Sequence, residues 1–182
     1  MKKFEENIRK VTPYVPGEQP KIKDIIKLNT NENPYPPSEK VIELTKELDP
    51  DMFRRYPDAK VEELAQAIAD FHKVPFEKVF VGVGSDDVLG MAFMTFFNSD
   101  ANVLFPDITY SFYPVWCEML RIPYETVPLD EDFLIKKQDY KRANGGIVIA
   151  NPNAPTGILM PKSEVEEIIA ANPDSVVIVD EA

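Results

Sequence analysis

The chain has 182 residues, 44% of them hydrophobic, so it can bury the core of one domain, or of one domain with an arm. It carries 31 acidic and 20 basic side chains, a formal charge of -11, with no Lys/Arg tract, which argues against nucleic acid as a partner. No apolar run approaches the roughly 20 residues that cross a bilayer, and no signal-peptide region follows Met1, so we expect a cytoplasmic protein without a membrane partner.

The chain contains one cysteine and one histidine. Cys117 lies at helical spacing from Tyr113 and Leu120, which is typical of a core position rather than of a reactive thiol. His72 closes an amphipathic helix, where a surface or boundary histidine is the ordinary case. We therefore expect no internal disulfide, no metal site and no Ser-His triad.

Residues 1–37 are rich in proline and contain one short apolar segment, 25–28. This composition predicts an extended N-terminal arm rather than a packed unit. Residues 29–37 place amide side chains beside prolines, which indicates either a turn cluster or a rigid display of the amides. The chain is thus predicted to divide into an arm, 1–37, and an α/β domain, 38–182.

Two amphipathic helices are predicted after the arm. Ser38 can cap the first, whose apolar positions recur every three or four residues to Leu48 before Asp49-Pro50 ends it. The second covers 61–71, with apolar side chains on one face and acidic or amide side chains on the other. Tyr56 lies in the loop between these scaffold helices.

The segment 78–83 is the first predicted strand, and Gly84 turns it directly into an apolar helix. A helix N-terminus after a glycine turn presents free backbone N–H groups and the positive end of the helix dipole, which suits a phosphate. Ser85 and Asp86 are therefore candidate phosphate-binding residues, although both equally suit a helix cap. The carboxylates here oppose an anion unless their side chains turn away.

Residues 102–105 form the next predicted strand, and a helix bearing Tyr113 follows. Tyr110 lies between them, where its ring can lie flat against a ligand or pack into the core. A short strand, 124–127, and a polar turn around 130–132 come next.

Two apolar runs, 146–150 and 176–179, each end in polar residues, and a helix opening at 161–164 connects them. Both runs are predicted to be buried parallel strands, the second of them central in its sheet. Because the carboxyl ends of parallel strands form the ligand crevice of open α/β sheets, Asn153 and Asp180 are expected to face one crevice.

Four strand ends therefore carry an anion cradle, an aromatic ring, an amide and a carboxylate. A pyridoxal 5'-phosphate site needs these groups as a phosphate anchor, a stacking face, a donor to the ring hydroxyl and a partner that keeps the pyridine nitrogen protonated.

These residues resemble the fold-type I aminotransferases and, within them, the histidinol-phosphate aminotransferases. The resemblance covers essentially the whole chain, and its motifs fall in the family's order and spacing. They are Asn29-Thr30-Asn31-Glu32-Asn33-Pro34-Tyr35, Arg55-Tyr56-Pro57-Asp58, Gly84-Ser85-Asp86-Asp87, Pro106-x-x-Thr109-Tyr110, Asn151-Pro152-Asn153-Ala154-Pro155-Thr156-Gly157 and Asp180-Glu181-Ala182.

The resemblance implies the large domain of a fold-type I enzyme, a three-layer α/β/α structure with a mostly parallel sheet, together with the N-terminal arm. It implies a homodimer that binds pyridoxal phosphate and transfers the amino group of histidinol phosphate to 2-oxoglutarate in histidine biosynthesis. The implied roles are phosphate binding by the backbone at Ser85 and Asp86, ring stacking by Tyr110 and pairing of Asp180 with the pyridine nitrogen. Tyr56 would reach the phosphate in the partner subunit's site, and Tyr14 and Asn33 would face the substrate.

Two positions depart from the family pattern. Ala154 stands where the family more often has the asparagine that meets the ring hydroxyl, so Asn153 is taken as its substitute. The family's Schiff-base lysine comes after a further strand, so we expect it, like the rest of the small domain, beyond Ala182. The chain is accordingly interpreted as the N-terminal portion of the enzyme.

Alternatives remain open at this stage. They are another pyridoxal-phosphate enzyme of the same fold, such as an aromatic aminotransferase or a threonine-phosphate decarboxylase, and a non-catalytic cofactor-binding or dimerisation module.

Overall fold

The computed structural model describes residues 3–18, 20–30 and 32–182, and these residues fall into two compact units. One unit is Val15–Val81, and the other comprises the residues up to Tyr14 together with Gly82–Ala182. This division does not follow the predicted boundary between residues 37 and 38, which remains a proposal.

The α-helices and strands of the described residues alternate after residue 100, as expected for a parallel α/β sheet. In chain order they are α1 (Glu39–Lys46), α2 (Glu62–His72), α3 (Gly84–Phe96), β1 (Val103–Pro106), α4 (Tyr113–Leu120), β2 (Tyr124–Val127), β3 (Gly146–Ala150), α5 (Lys162–Ala171) and β4 (Val177–Asp180). Short 3-10 helices cover Lys3–Asn7, Pro50–Arg54, Phe76–Lys78 and Lys137–Tyr140.

The unit Val15–Val81 contains α1 and α2, both at the predicted places. Ser38 stands at the N-cap of α1, but its side chain makes no capping hydrogen bond. At the start of α2, by contrast, a side chain does bind a helix N–H: a carboxylate oxygen of Asp58 accepts the backbone N–H of Glu62 at 2.8 Å. No helix in the described part of the chain is long and apolar enough to cross a membrane.

The larger unit is built on a four-stranded sheet in the order β2-β1-β3-β4, in which every neighbouring pair is parallel. The strands predicted at 102–105, 124–127, 146–150 and 176–179 are thus confirmed, with bounds that differ by at most one residue. β4 lies at the edge of the described sheet, so the expected central position of the strand before Asp180 is wrong for these residues.

Successive side chains of the buried strands point to opposite faces, and each face has its own core. Val103 and Phe105 of β1 pack with α3 and α4, whereas Leu104 lies with α5 on the other side. Cys117 is fully buried in the first of these cores, as its spacing predicted. A sheet covered by helices on both faces is the three-layer α/β/α arrangement expected from the sequence.

Gly146 begins β3 beneath Phe97, and its φ is +146°. A Cβ on this residue would overlap the Phe97 ring, so only glycine lets the strand start so close to α3.

The predicted strand 78–83 is absent from the sheet, so this prediction is wrong. The backbone is extended at Val79, with φ -106° and ψ 125°, but none of the described strands pairs with the segment. Phe80 and Val83 are exposed. Local preference gives an extended chain, whereas a strand also needs a hydrogen-bonded neighbour.

Candidate functional site

The N-terminus of α3 is uncapped and has free space beside Gly84. Gly84 begins the helix with φ +82°, and no atom lies within 4 Å of the place where a Cβ would be. No side chain caps the first turn, so the leading N–H groups, including those of Ser85 and Asp86, are available to a ligand. The Asp87 carboxylate turns back to accept the N–H of Val83 at 3.1 Å.

The side chain of Asp86 is held by Tyr110. The Tyr110 hydroxyl donates to Asp86 Oδ1 at 3.0 Å, so both carboxylates of the turn are engaged by donors. Burial, and after it this hydrogen bond, raises the pKa of Tyr110 well above its ordinary value. The phenol therefore remains a donor throughout the physiological range.

The ring of Tyr110 is half-buried in the loop that precedes α4. It stacks on Phe112 with centroids 6.3 Å apart and meets the edge of Tyr113 at 5.5 Å. Its aromatic contacts fix the ring beyond the carboxyl end of β1, where the sequence predicted it. Its contact with a ligand stays a prediction.

Asn153 follows β3, and its side-chain amide forms hydrogen bonds with the loop that follows β1. The residue is only 2% exposed, and both polar atoms of its amide have partners in the interior: Nδ2 donates to the Ile108 carbonyl at 2.9 Å and Oδ1 accepts the Thr109 hydroxyl at 2.8 Å. Thr109 is the neighbour of Tyr110, so this amide joins the end of β3 to the loop that carries Tyr110. One N–H of the amide can still donate elsewhere, and its assignment to the ring hydroxyl remains a prediction.

Asp180 ends β4 with a half-buried carboxylate. Oδ2 accepts the Tyr113 hydroxyl at 2.7 Å, and Oδ1 accepts the backbone N–H of Ala182 at 3.1 Å. None of the ion pairs among the described residues involves Asp180. A carboxylate taken partly out of water without a cation is unfavourable, so this site is suited to a cationic ligand group.

The spacing of Tyr113 indicates a helix-core position, and it gives no direct indication of the contact with Asp180. The residue is fully buried, and burial, followed by the hydrogen bond to Asp180, raises its pKa strongly. The available signal is its position three residues after Tyr110, at the start of the predicted helix.

The three other predicted site residues are described within their own units. The Tyr14 ring lies 5.4 Å from that of Phe112, beside Tyr110. Asn33 and Tyr56 belong to the unit Val15–Val81, where Asn33 accepts the N–H of Tyr35 at 3.0 Å and Tyr56 is fully exposed. Asn31 of the amide-rich motif lies outside the described residues.

Within the larger unit, hydrogen bonds and ring contacts thus connect the residues predicted at the strand ends. Asp86 binds Tyr110, Tyr110 packs on Tyr113, and Tyr113 binds Asp180. Uncapped helix N–H groups, a half-buried aromatic ring and a carboxylate without a cationic partner among the described residues are groups that can bind the phosphate, the ring and the protonated nitrogen of a phosphorylated pyridine. The residues present therefore fit pyridoxal phosphate.

Known proteins resemble this chain in sequence and in fold. The model of the aminotransferase class I and II family matches residues 23–182. Histidinol-phosphate aminotransferase of Lactococcus lactis subsp. cremoris (strain SK11) is 49% identical over 179 residues, covering 98% of this chain and 50% of that protein. The protein of the same name from Pseudomonas syringae pv. syringae (strain B728a) is 56% identical over 172 residues, covering 94% of this chain and 49% of that protein.

Among solved structures, the fold resembles histidinol-phosphate aminotransferase from Sinorhizobium meliloti in complex with pyridoxal-5'-phosphate. The TM-score is 0.76 at 22% identity, over 84% of this chain and 43% of that one. The chain spans about half the length of the curated relatives it matches.

Proposed function

Because the chain belongs to the aminotransferase class I and II family, we propose that the full-length protein is a pyridoxal-phosphate-dependent aminotransferase. Its proposed amino donor is histidinol phosphate and its acceptor 2-oxoglutarate, giving imidazole acetol phosphate and glutamate, a step of histidine biosynthesis in the cytoplasm. The name carried by relatives about half identical to this chain supports this choice of substrate.

The observation that carries the cofactor proposal is the unpaired carboxylate of Asp180 at the end of β4. It is half-buried, held by Tyr113 and free of any cation in the described residues. A protonated pyridine nitrogen supplies the missing positive charge, and the carboxylate in turn favours the protonated nitrogen. Bound pyridoxal phosphate provides an electron sink that stabilises the negative charge left when a proton leaves the substrate α-carbon.

The other residues of the site are proposed to orient the cofactor. The N–H groups of Ser85 and Asp86 bind its phosphate at the positive end of the α3 dipole. Tyr110 stacks on one face of the ring, and Asn153 donates to the ring hydroxyl. The lysine that links to the cofactor and moves the α-proton is proposed to lie beyond residue 182.

A homodimer is part of the proposal. The Tyr56 side chain is fully exposed within the unit Val15–Val81, which suits a residue that reaches a partner subunit's site. Tyr14, beside Phe112, and Asn33 are proposed to face the substrate. Sedimentation of the full-length protein at working concentration is expected to give a dimer, and an active monomer would remove the role assigned to Tyr56.

A substrate panel tests the proposed activity directly. The full-length protein, loaded with pyridoxal phosphate, is assayed with histidinol phosphate, aromatic amino acids and threonine phosphate, each with 2-oxoglutarate. We expect glutamate formation with the highest kcat/KM for histidinol phosphate. Preference for an aromatic amino acid would replace the substrate but keep the reaction, whereas release of CO2 from threonine phosphate without glutamate would replace the reaction.

A further inference from the structure

The hydroxyl of Tyr113 donates a hydrogen bond to one oxygen of the Asp180 carboxylate. It donates to Oδ2 at 2.7 Å from a fully buried ring at the first position of α4. Oδ1 faces the backbone N–H of Ala182 at 3.1 Å, so the two oxygens have different partners and the carboxylate plane is fixed. A carboxylate held in this way presents one defined edge to a ligand.

The ring of Tyr113 cannot follow a movement of Asp180, because it is packed on three sides. Its centroid lies 5.8 Å from that of Phe105 on β1 and 6.3 Å from that of Phe93 on α3. Its third neighbour is Tyr110, 5.5 Å away in an edge-on arrangement. One buried side chain therefore links the carboxylate to the residue assigned to stacking.

A hydrogen bond donated to an ionised carboxylate stabilises its charged form. The hydroxyl of Tyr113 therefore favours an ion pair between Asp180 and a bound pyridine, in which the proton is on the ring nitrogen. Burial raises the pKa of Tyr113, so the phenol remains a donor at neutral and mildly alkaline pH. Tyr113 from α4 and Tyr110 from the preceding loop are the titratable groups whose interaction with Asp180 the structure shows.

Resting on the proposed function, we infer that Tyr113 is a positioning residue of the cofactor site, which orients the Asp180 carboxylate and keeps the proton on the pyridine nitrogen. It touches neither substrate nor reacting atoms and acts through Asp180.

The test compares Tyr113→Phe with the parent full-length enzyme loaded with pyridoxal phosphate labelled with nitrogen-15 in the ring. The nitrogen-15 chemical shift reports protonation of the ring nitrogen independently of turnover. For Tyr113→Phe we expect this shift to move toward the neutral-pyridine value, and kcat to fall about tenfold while KM for histidinol phosphate changes less than about twofold.

Tyr140→Phe is the matched control. Tyr140 is also fully buried, and its hydroxyl has no hydrogen-bond partner among the described residues. It lies in the core on the α5 side of the sheet, so its substitution should leave both the nitrogen-15 shift and kcat at the parent values. Site-specific 3-fluorotyrosine at position 113, a more acidic donor in the same fold, should raise the pH at which the nitrogen-15 shift changes to the neutral-pyridine value, whereas Tyr113→Phe should lower it.

The possible failures are distinguishable. If the parent enzyme does not bind pyridoxal phosphate, the proposed function fails and this inference with it. If the parent binds and transaminates but Tyr113→Phe keeps the parent nitrogen-15 shift, only the inference is overturned, even if melting temperature or kcat falls. Should Tyr113→Phe not fold, an unchanged midpoint of the nitrogen-15 pH titration in the fluorotyrosine enzyme overturns it equally.

Discussion

Replacement of Asp180 by asparagine removes the charge at the end of β4 but little else. Asparagine has nearly the same volume, and its oxygen can still accept the Tyr113 hydroxyl that now lies 2.7 Å from Oδ2. We therefore expect Asp180→Asn to fold normally and to retain much of its cofactor affinity, since the phosphate cradle at α3 is untouched. The transamination half-reaction should nevertheless slow greatly.

The size of the effect follows from the lost charge pair. Two opposite charges about 4 Å apart attract by about 4 kcal/mol at an effective dielectric constant of about 20, which suits a half-buried carboxylate. If that attraction is lost in the transition state, the rate falls about a thousandfold. The measurement is the single-turnover rate with histidinol phosphate at saturating cofactor, with Asp180→Glu as a charge-retaining control that should recover part of the rate. An asparagine enzyme within a few-fold of the parent would refute the assignment of Asp180 to the pyridine nitrogen.

Three further predictions concern the cradle, the core and a helix cap. Gly84→Ala meets no neighbouring atom but puts a side chain at φ +82°. If the free turn relaxes to a negative φ and phosphate binding restores the positive one, the strain of about 1–2 kcal/mol falls on the bound state and should weaken pyridoxal phosphate binding about 5- to 30-fold in an absorbance titration. An unchanged Kd would contradict a phosphate site that needs this turn. Burial raises the pKa of the Cys117 thiol to about 12, so peptide mapping after alkylation at pH 8 should find it unmodified in the native protein and modified in denaturant; rapid native labelling would contradict its burial. Backbone N–H donors hold the pKa of Asp58 below its ordinary value of 3.8, so its stabilising effect should be complete above that pH and disappear as the pH falls through the lower, folded value. Melting curves of Asp58→Ala and the parent should therefore differ at pH 6 and converge in acid, and a difference that persists in strong acid would exclude the carboxylate as its cause.

Sequence periodicity was sufficient for most of the sheet and its helices. The runs at 103–106 and 146–150 are buried on both faces, so their continuous apolar character identified them without knowledge of their neighbours. The segment 78–83 has a similar composition but no partner in the described sheet. Pairing depends on residues distant in sequence, so composition alone could not exclude this strand.

The site was predictable to the level of strand ends and no further. Because the strands are parallel, the positions of Tyr110, Asn153 and Asp180 along the chain are sufficient to place them at one edge of the sheet. The bonds that those side chains make depend on tertiary packing. Thus the buried amide of Asn153 between Ile108 and Thr109, and the hydroxyl of Tyr113 on Asp180, are visible only in the folded chain.

A crystal structure of the full-length protein with pyridoxal phosphate tests the proposed cofactor site most directly. We expect the phosphate at the N–H groups of Ser85 and Asp86, the Tyr110 ring against the pyridine face, and an Asp180 oxygen within hydrogen-bonding distance of the ring nitrogen. A cofactor bound elsewhere, or a ring nitrogen facing solvent or another side chain while Asp180 keeps only Tyr113 and the backbone as partners, would contradict it.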